Sequence, residues 1–312
     1  MKSKSPATFQ LFMLHPKYWG IWLGYGFLWL LVQLLPFCAL IVLGKLLGFA
    51  LGKLLKNRRK IAEINLKLCM PEMSEQERKD LIDRNMKEIG VSLFETGMAW
   101  FWPQWRIKRV TAEIEGTEYM DQAKAKDKGI LMISCHMMNL EMGGRMFGEI
   151  WPANCMYRPN KNPVLEFFQY RGRSRSQLVA LDKNNLRLSF KALKNKEILW
   201  YAPDQDLGRR RSIFVPFFKV EDTATAPGAS SMARLGNAVV MPFYQFRKPD
   251  NSGYKIVIFP PFENFPSGDE LIDTTRVNLA IEQMIRQHPE QYLWVHRRFK
   301  TRANPQDPYR YS

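Results

Sequence analysis

The sequence predicts an α/β domain behind an N-terminal membrane anchor, on three observations: a long uncharged segment near the start, a capped amphipathic helix after it, and four apolar runs alternating with helical or loop stretches. Strands that alternate with helices argue for an α/β domain whose functional residues lie in loops at strand ends. A chain of 312 residues can bury a sizeable core, and no internal repeat or low-complexity linker divides it beyond the anchor. The expected division is an anchor with a basic flank over residues 1–60 and one globular domain over residues 61–312.

The anchor comes first. From Tyr18 to Gly44 the chain runs 27 residues without a charge, where a bilayer-spanning helix needs roughly 20. That exceeds the apolar core of a signal peptide, and no A-x-A-like cleavage site follows it before KLLGFALGKLLKNRRK, so the segment reads as retained. Pro36 can kink it, which leaves a tilted span, a hairpin or an in-plane anchor open. Lys45, Lys53, Lys56, Arg58, Arg59 and Lys60 outnumber Lys2, Lys4 and Lys17 on the other flank, so the positive-inside bias places the C-terminal bulk in the cytoplasm. Trp19, Trp22 and Tyr25 suit an interface, and the basic cluster suits anionic headgroups.

Next, Ser74 and Glu77 stand in capping-box spacing, and Leu81, Ile82, Ile89, Leu93 and Phe94 recur near helical period, which predicts a long helix. The strand-like runs are GILMISC from Gly129, EILWYAP from Glu197, AVVMPFYQF from Ala238 and YKIVIFPPF from Tyr254. The net charge of +16 and pI near 9.7 imply an anionic partner, whether nucleic acid, lipid headgroups, a phosphorylated substrate or an acidic carrier protein. Cys38, Cys69, Cys135 and Cys155 show neither zinc-site spacing nor the density of a disulfide framework, which fits a reducing environment.

Four histidines occur, and one of them, His136, falls where the GILMISC strand ends and the helix NLEMGGRMFGEI begins. A turn at the end of a central strand is where open α/β sheets place ligands. Glu141, five residues on, lies in the first helical turn, near enough to hold one ring nitrogen and leave the other as a base near neutral pH. The structural alternative is a satisfied histidine in a turn. Arg171, Arg173 and Arg175 alternate, so an extended segment sets all three guanidinium groups on one face, for an anion or merely for solvent. Asp204 and Asp206 follow an apolar run, where acids bind metal, orient an arginine or cap a turn. Near the C-terminus YLWVHRRFKTR mixes aromatics with His296, Arg297, Arg298 and Lys300, which suits an anionic amphiphile or a membrane-facing surface.

The blocks CHMMNLEMGGR, MYRPNKNP, RGRSRS, YAPDQDLGRRRSIFVPFF and PEQYLWVHRRFKTR, in this order behind a hydrophobic anchor, resemble the lipid A late acyltransferases of Gram-negative bacteria, in their lauroyl/palmitoleoyl-type branch. The resemblance covers roughly residues 18 to 305. It implies a glycerol-phosphate-acyltransferase-like mixed sheet flanked by helices, in an inner-membrane enzyme whose catalytic domain is cytoplasmic. It also implies transfer of a fatty acyl chain from acyl carrier protein to the hydroxyl of a 3-hydroxyacyl chain of Kdo2-lipid IVA, with no cofactor, metal or nucleic acid. The family's essential positions fall on His136, Glu141, Arg173 and Asp204. His136 is then the base assisted by Glu141, Arg173 binds phosphate or serves the oxyanion, and Asp204 orients Arg173 or neighbouring backbone. Arg158, Arg171, Arg175, Arg209 and Arg210 become substrate-binding candidates, and Met137, Met138, Met142, Met146 and Phe147 candidates for an acyl cleft or for plain core.

Three rival readings remain: a glycerol-phosphate-type acyltransferase, a membrane-tethered nuclease with Asp204, Asp206 and Glu141 on metal, and a noncatalytic lipid-binding scaffold. Cys135 and His136, as neighbours on a strand, point to opposite faces and make a poor nucleophile–base dyad.

Overall fold

The structure, a computed structural model, describes residues 8–176 and 178–312. The long uncharged segment is not one helix. Two short 3-10 turns lead into α1 (Trp19–Leu34), and α2 (Phe37–Leu54) follows a break at Leu35 and Pro36. Proline has no N–H to continue the ladder and disfavours helical backbone in the residue before it. The freed carbonyls at the end of α1 are taken up from the domain: the Trp102 indole N–H donates to Val32 at 2.6 Å, and Arg106 donates to Val32, Gln33 and Leu35 at 2.9, 3.1 and 2.9 Å. Only α2 is long and apolar enough to cross a membrane among the described residues. Lys2 and Lys4 of the N-terminal flank lie outside them.

After the anchor come α3 (Lys56–Cys69) and the predicted long helix, α4 (Glu75–Phe101), which opens on the complete Ser74–Glu77 capping box. The remaining elements, in chain order, are α5 (Gln104–Val110), β1 (Thr111–Glu115), α6 (Thr117–Ala125), β2 (Gly129–Ile133), α7 (Leu140–Ile150), β3 (Ala153–Tyr157), α8 (Pro163–Arg173), β4 (Leu178–Asp182), α9 (Leu186–Lys194), β5 (Ile198–Tyr201), β6 (Ile213–Phe217), β7 (Val220–Thr225), α10 (Gly228–Gly236), β8 (Ala238–Arg247), β9 (Tyr254–Ile258) and α11 (Glu270–Gln287). Seven strands form one sheet in the order β1-β9-β8-β2-β5-β3-β4, while β6 and β7 pair separately. Every pairing in the large sheet is parallel except β8 with β9, so the sheet is mixed, as expected.

β2 lies inside the sheet, buried on both faces, with Ile130 level with Val239 of β8 and Ile198 of β5. Its side chains alternate between two cores. Leu131, Ile133 and Cys135 join α3, α10 and α11, while Ile130 and Met132 join α7, the C-terminal half of α4 and parts of α1 and α2. The anchor helices therefore contribute to the same core as the sheet.

The contact between α2 and α4 is made backbone to backbone. A Cβ on Gly44 would come within 2.6 Å of the Val91 Cα, and one on Gly90 would strike the backbone of Gly44 and Gly48. Away from this seam, Phe12, Leu14, Trp19, Leu23, Phe27, Leu34, Leu46, Phe49 and Leu54 stay exposed. So large an apolar belt in one segment marks a membrane-associating surface.

Gly90→Ala is expected to lower stability by about 1–3 kcal/mol through overpacking. Gly24→Ala, where the added methyl meets nothing within 4 Å, should cost nothing. Thermal unfolding of both proteins in one detergent checks the pair.

Candidate active site

The site is built on the turn between β2 and α7. Ser134 N–H bonds the Tyr201 carbonyl at 3.0 Å, continuing the β2–β5 pairing, and the chain then leaves the sheet at Cys135. His136 is fixed twice by one carboxylate: its backbone N–H donates to Asp204 Oδ2 at 2.9 Å, and its Nδ1 lies 2.6 Å from Asp204 Oδ1. The Tyr292 hydroxyl donates to the same Oδ2 at 3.0 Å. An ionised carboxylate only accepts, so Nδ1 carries a proton, and in the neutral form of the ring Nε2 keeps the lone pair. Among the described residues nothing hydrogen-bonds Nε2, and His136 opens on a cavity of about 790 Å³.

Asp204 is 1 % exposed. Burial pushes its carboxyl up, but the electrostatic pairing with His136 and the hydrogen bonds from the His136 ring and backbone outweigh that and hold it at about 2. Burial and the Asp204 charge in turn push the Tyr292 phenol well up, so it remains a donor. The C-terminal segment braces the turn further. Met138 N–H donates to the Gln291 carbonyl at 2.6 Å and Leu293 N–H to the His136 carbonyl at 3.1 Å, while Asn139 Nδ2 reaches Gln291 Oε1 at 3.0 Å.

Two expected partnerships are exchanged. Glu141 does not hold His136, and Asp204 does not orient Arg173. Instead Glu141, in the first turn of α7, accepts from Arg173 Nε at 3.1 Å to each oxygen, from Arg173 Nη2 through a short bond, and from the Trp100 indole at 2.9 Å. Burial raises the Glu141 carboxyl, but the Arg173 charge and these bonds win and bring it below its ordinary value. The carboxylate in turn raises the Arg173 guanidinium against the effect of burial. α8 can approach closely because Gly172 packs on Trp100 where a Cβ would collide with the indole. Arg173 Nη1 has no partner among the described residues, and Arg173 lines the cavity with His136 and Glu141.

The alternating arginines are not extended, since α8 runs through Arg173. Two helical positions apart, Arg171 and Arg173 diverge; Arg171 and Arg175 are exposed and outside the cavity lining. Arg158 lines the cavity, as do Lys183 and Arg211, which the sequence reading did not single out. Arg209 is spent on the carbonyls of Ala303, at 2.7 Å, and Arg302, and neither it nor exposed Arg210 lines the cavity. Met137, Met142, Met146 and Phe147 prove to be core rather than cleft, and Met138 is also absent from the lining. Leu140, Met156, Phe190, Trp200, Leu207 and Met232 supply the apolar wall.

Each acid of the nuclease alternative has its own partner. Asp204 serves His136, Glu141 serves Arg173, and Asp206 accepts from Thr301 N–H, the Thr301 hydroxyl and Gly208 N–H, each at 2.8 Å. Among the described residues no three potential metal ligands converge. Cys135 is fully buried in the core and does not line the cavity, and burial pushes its thiol well up.

The family model for the bacterial lipid A biosynthesis acyltransferases matches residues 7–301, so the chain belongs to that family of enzymes. Among its relatives, the lipid A biosynthesis lauroyltransferase of Escherichia coli K12 is 46% identical over 94% of this chain and 95% of its own. The palmitoleoyltransferase of the same strain is 44% identical, covering 95% and 96%, whereas the myristoyltransferase is 27% identical, covering 92% and 89%. A solved 1-acyl-sn-glycerophosphate acyltransferase from Thermotoga maritima overlaps 74% of this chain and 95% of its own, with 13% identity and a TM-score of 0.36.

The Asp204 carboxyl, folded at about 2, lies below its ordinary 3.8. It therefore contributes stability that is fully present above pH about 4 and lost as pH falls through about 2. The stability gap between the native protein and Asp204→Asn should be widest near neutrality and close in that window, as read by thermal melts across pH.

Proposed function

We propose that the protein transfers a fatty acyl chain, of lauroyl or similar length, from acyl carrier protein to the hydroxyl of a 3-hydroxyacyl chain of Kdo2-lipid IVA. The single observation that carries the reading is the His136–Asp204 pair, whose imidazole lines the same large cavity as Arg173, with His136 Nε2 and Arg173 Nη1 both unpaired among the described residues. At about 790 Å³, the cavity lies within the range of roughly 300–1,000 Å³ for ligand sites.

A thioester is already activated, but the attacking alcohol must lose a proton. His136 Nε2 takes it as the oxygen bonds to the thioester carbon, and Asp204 stabilises the imidazolium that forms. Arg173 Nη1 donates to the oxyanion, at an angle fixed by Glu141 and Trp100. Collapse of the tetrahedral intermediate breaks the C–S bond, and the imidazolium proton goes to the departing thiolate. The products are the lipid ester and the free carrier thiol, with no acyl-enzyme on Cys135. Arg158, Lys183 and Arg211 supply the positive field for phosphates on either substrate.

The anchor assignment of residues 1–60 and the catalytic assignment of residues 61–312 fit this chemistry. α1 and α2 dip into the inner membrane as a hairpin whose glycine-bearing side stays on α4, with the catalytic domain on the cytoplasmic side.

His136→Ala and Asp204→Asn should each lower kcat by about 10²-fold or more, as loss of a general base or of its tautomer does, while membrane association survives. Near-normal transfer by His136→Ala with Kdo2-lipid IVA and lauroyl carrier protein would refute the base. Glu141→Ala strands a buried guanidinium and should cost about 3–5 kcal/mol of stability; Glu141→Ala with Arg173→Met should recover stability without recovering turnover. Melting and steady-state kinetics of the single and double variants check this.

A further inference from the structure

A second basic recess lies outside the cavity, where the first turn of α3 meets the C-terminal segment. Its lining is Asn57, Arg58, Ile61, His296, Arg297, Lys300 and Tyr309, enclosing about 510 Å³, with no carboxylate among them. The arginines around it are neutralised: Arg59 pairs with Asp83 at 2.6 Å, Arg302 with Asp307 at 2.7 Å and Arg310 with Asp222 at 2.8 Å. Arg58, Arg297 and Lys300 have no acidic partner among the described residues. Arg58 donates to the Val295 carbonyl at 3.2 Å and Arg297 to the Tyr309 hydroxyl at 3.3 Å, contacts that hold the cations in place without discharging them. The α3 N-terminus receives no side-chain cap, which adds unspent N–H groups and the positive end of a helix dipole. Converging cations repel unless an anion joins them.

The recess is also tied to the reacting centre. Leu293 N–H bonds the His136 carbonyl, and the four residues from there to Arg297 span at most about 14 Å. The exposed apolar residues of α2 end at Leu54, three residues before Asn57, so the recess sits where lipid gives way to headgroup.

We propose that this recess binds a phosphate monoester on the headgroup of the acyl acceptor, orienting the glycolipid so that its hydroxyl reaches His136. The proposal rests on the acyltransfer reading and adds a subsite to it. Three cations without acidic partners gathered in one recess suit a compact anionic group rather than the broad face of a carrier protein.

The test uses the full chain in detergent and the variant Arg297→Gln/Lys300→Gln, whose two side chains are exposed and make no contact with the cavity. With a phosphorylated acceptor, the acceptor KM should rise roughly tenfold for two lost charge-assisted contacts at an exposed site, with kcat and donor KM unchanged. With the same acceptor stripped of phosphate, native and variant KM should coincide. An unchanged acceptor KM overturns the proposal, as does a loss that persists without phosphate. A rise confined to the donor KM makes the recess a carrier-protein dock and overturns it too.

Two arms need no turnover. Inorganic phosphate, titrated calorimetrically, should bind the native chain and bind the variant more weakly; equal binding sinks the subsite even if acyl transfer proceeds. Should phosphate discriminate the two proteins while neither transfers an acyl chain, the subsite stands and the acyltransfer reading falls. Binding to vesicles of anionic phospholipid should be equal for both, and a loss seen there alone assigns the recess to bulk lipid and overturns the proposal.

Discussion

Everything at the reacting centre depends on one buried carboxylate. Asp204 accepts from the His136 backbone, the His136 ring and the Tyr292 hydroxyl, so a single side chain fixes the turn, the tautomer and the C-terminal segment together. A buried charge is tolerated only when it is paired and hydrogen-bonded. Asp204 meets that condition with an imidazole, a backbone N–H and a phenol. The free Nε2 follows from the carboxylate's own need for donors.

A second buried pair stands beside the first and has a different task. Glu141 absorbs most of the Arg173 guanidinium, and the Trp100 indole takes a further position on the carboxylate. The fork geometry leaves one arm of this cavity-lining arginine without a partner among the described residues, with its plane set by the other two nitrogens. The two acids thus divide the labour, one fixing an imidazole and the other a guanidinium. His136 and Arg173, which both line the cavity, are each held by a carboxylate of their own.

Much of this was legible in the chain. The capping box, the long α4, the four apolar strands and the turn position of His136 all rest on local pattern, and local pattern survived folding. β3 and β4 went unread because ANCMY and LVALD are short and place polar residues among the apolar ones. His136, Glu141, Arg173 and Asp204 come together as two ion-paired couples, but not in the pairing that their spacing suggests. Five residues of separation favoured Glu141 as the partner of His136, whereas Asp204, 68 residues away, is brought level with it by the parallel register of β2 and β5. Tyr292 and Trp100 carry no local signal at all, since each reaches its carboxylate across the fold. The arginine triplet misled because a period of two was applied to what is a helix.

Tyr25 of α1 stacks 5.9 Å from the Trp100 ring, and Trp100 holds Glu141. A helix with much of its apolar surface exposed thereby braces one rib of the cavity wall. Solvent that squeezes or strips that helix reaches the guanidinium through two rings and a carboxylate. Conditions that disturb α1 are consequently conditions on the cavity wall itself.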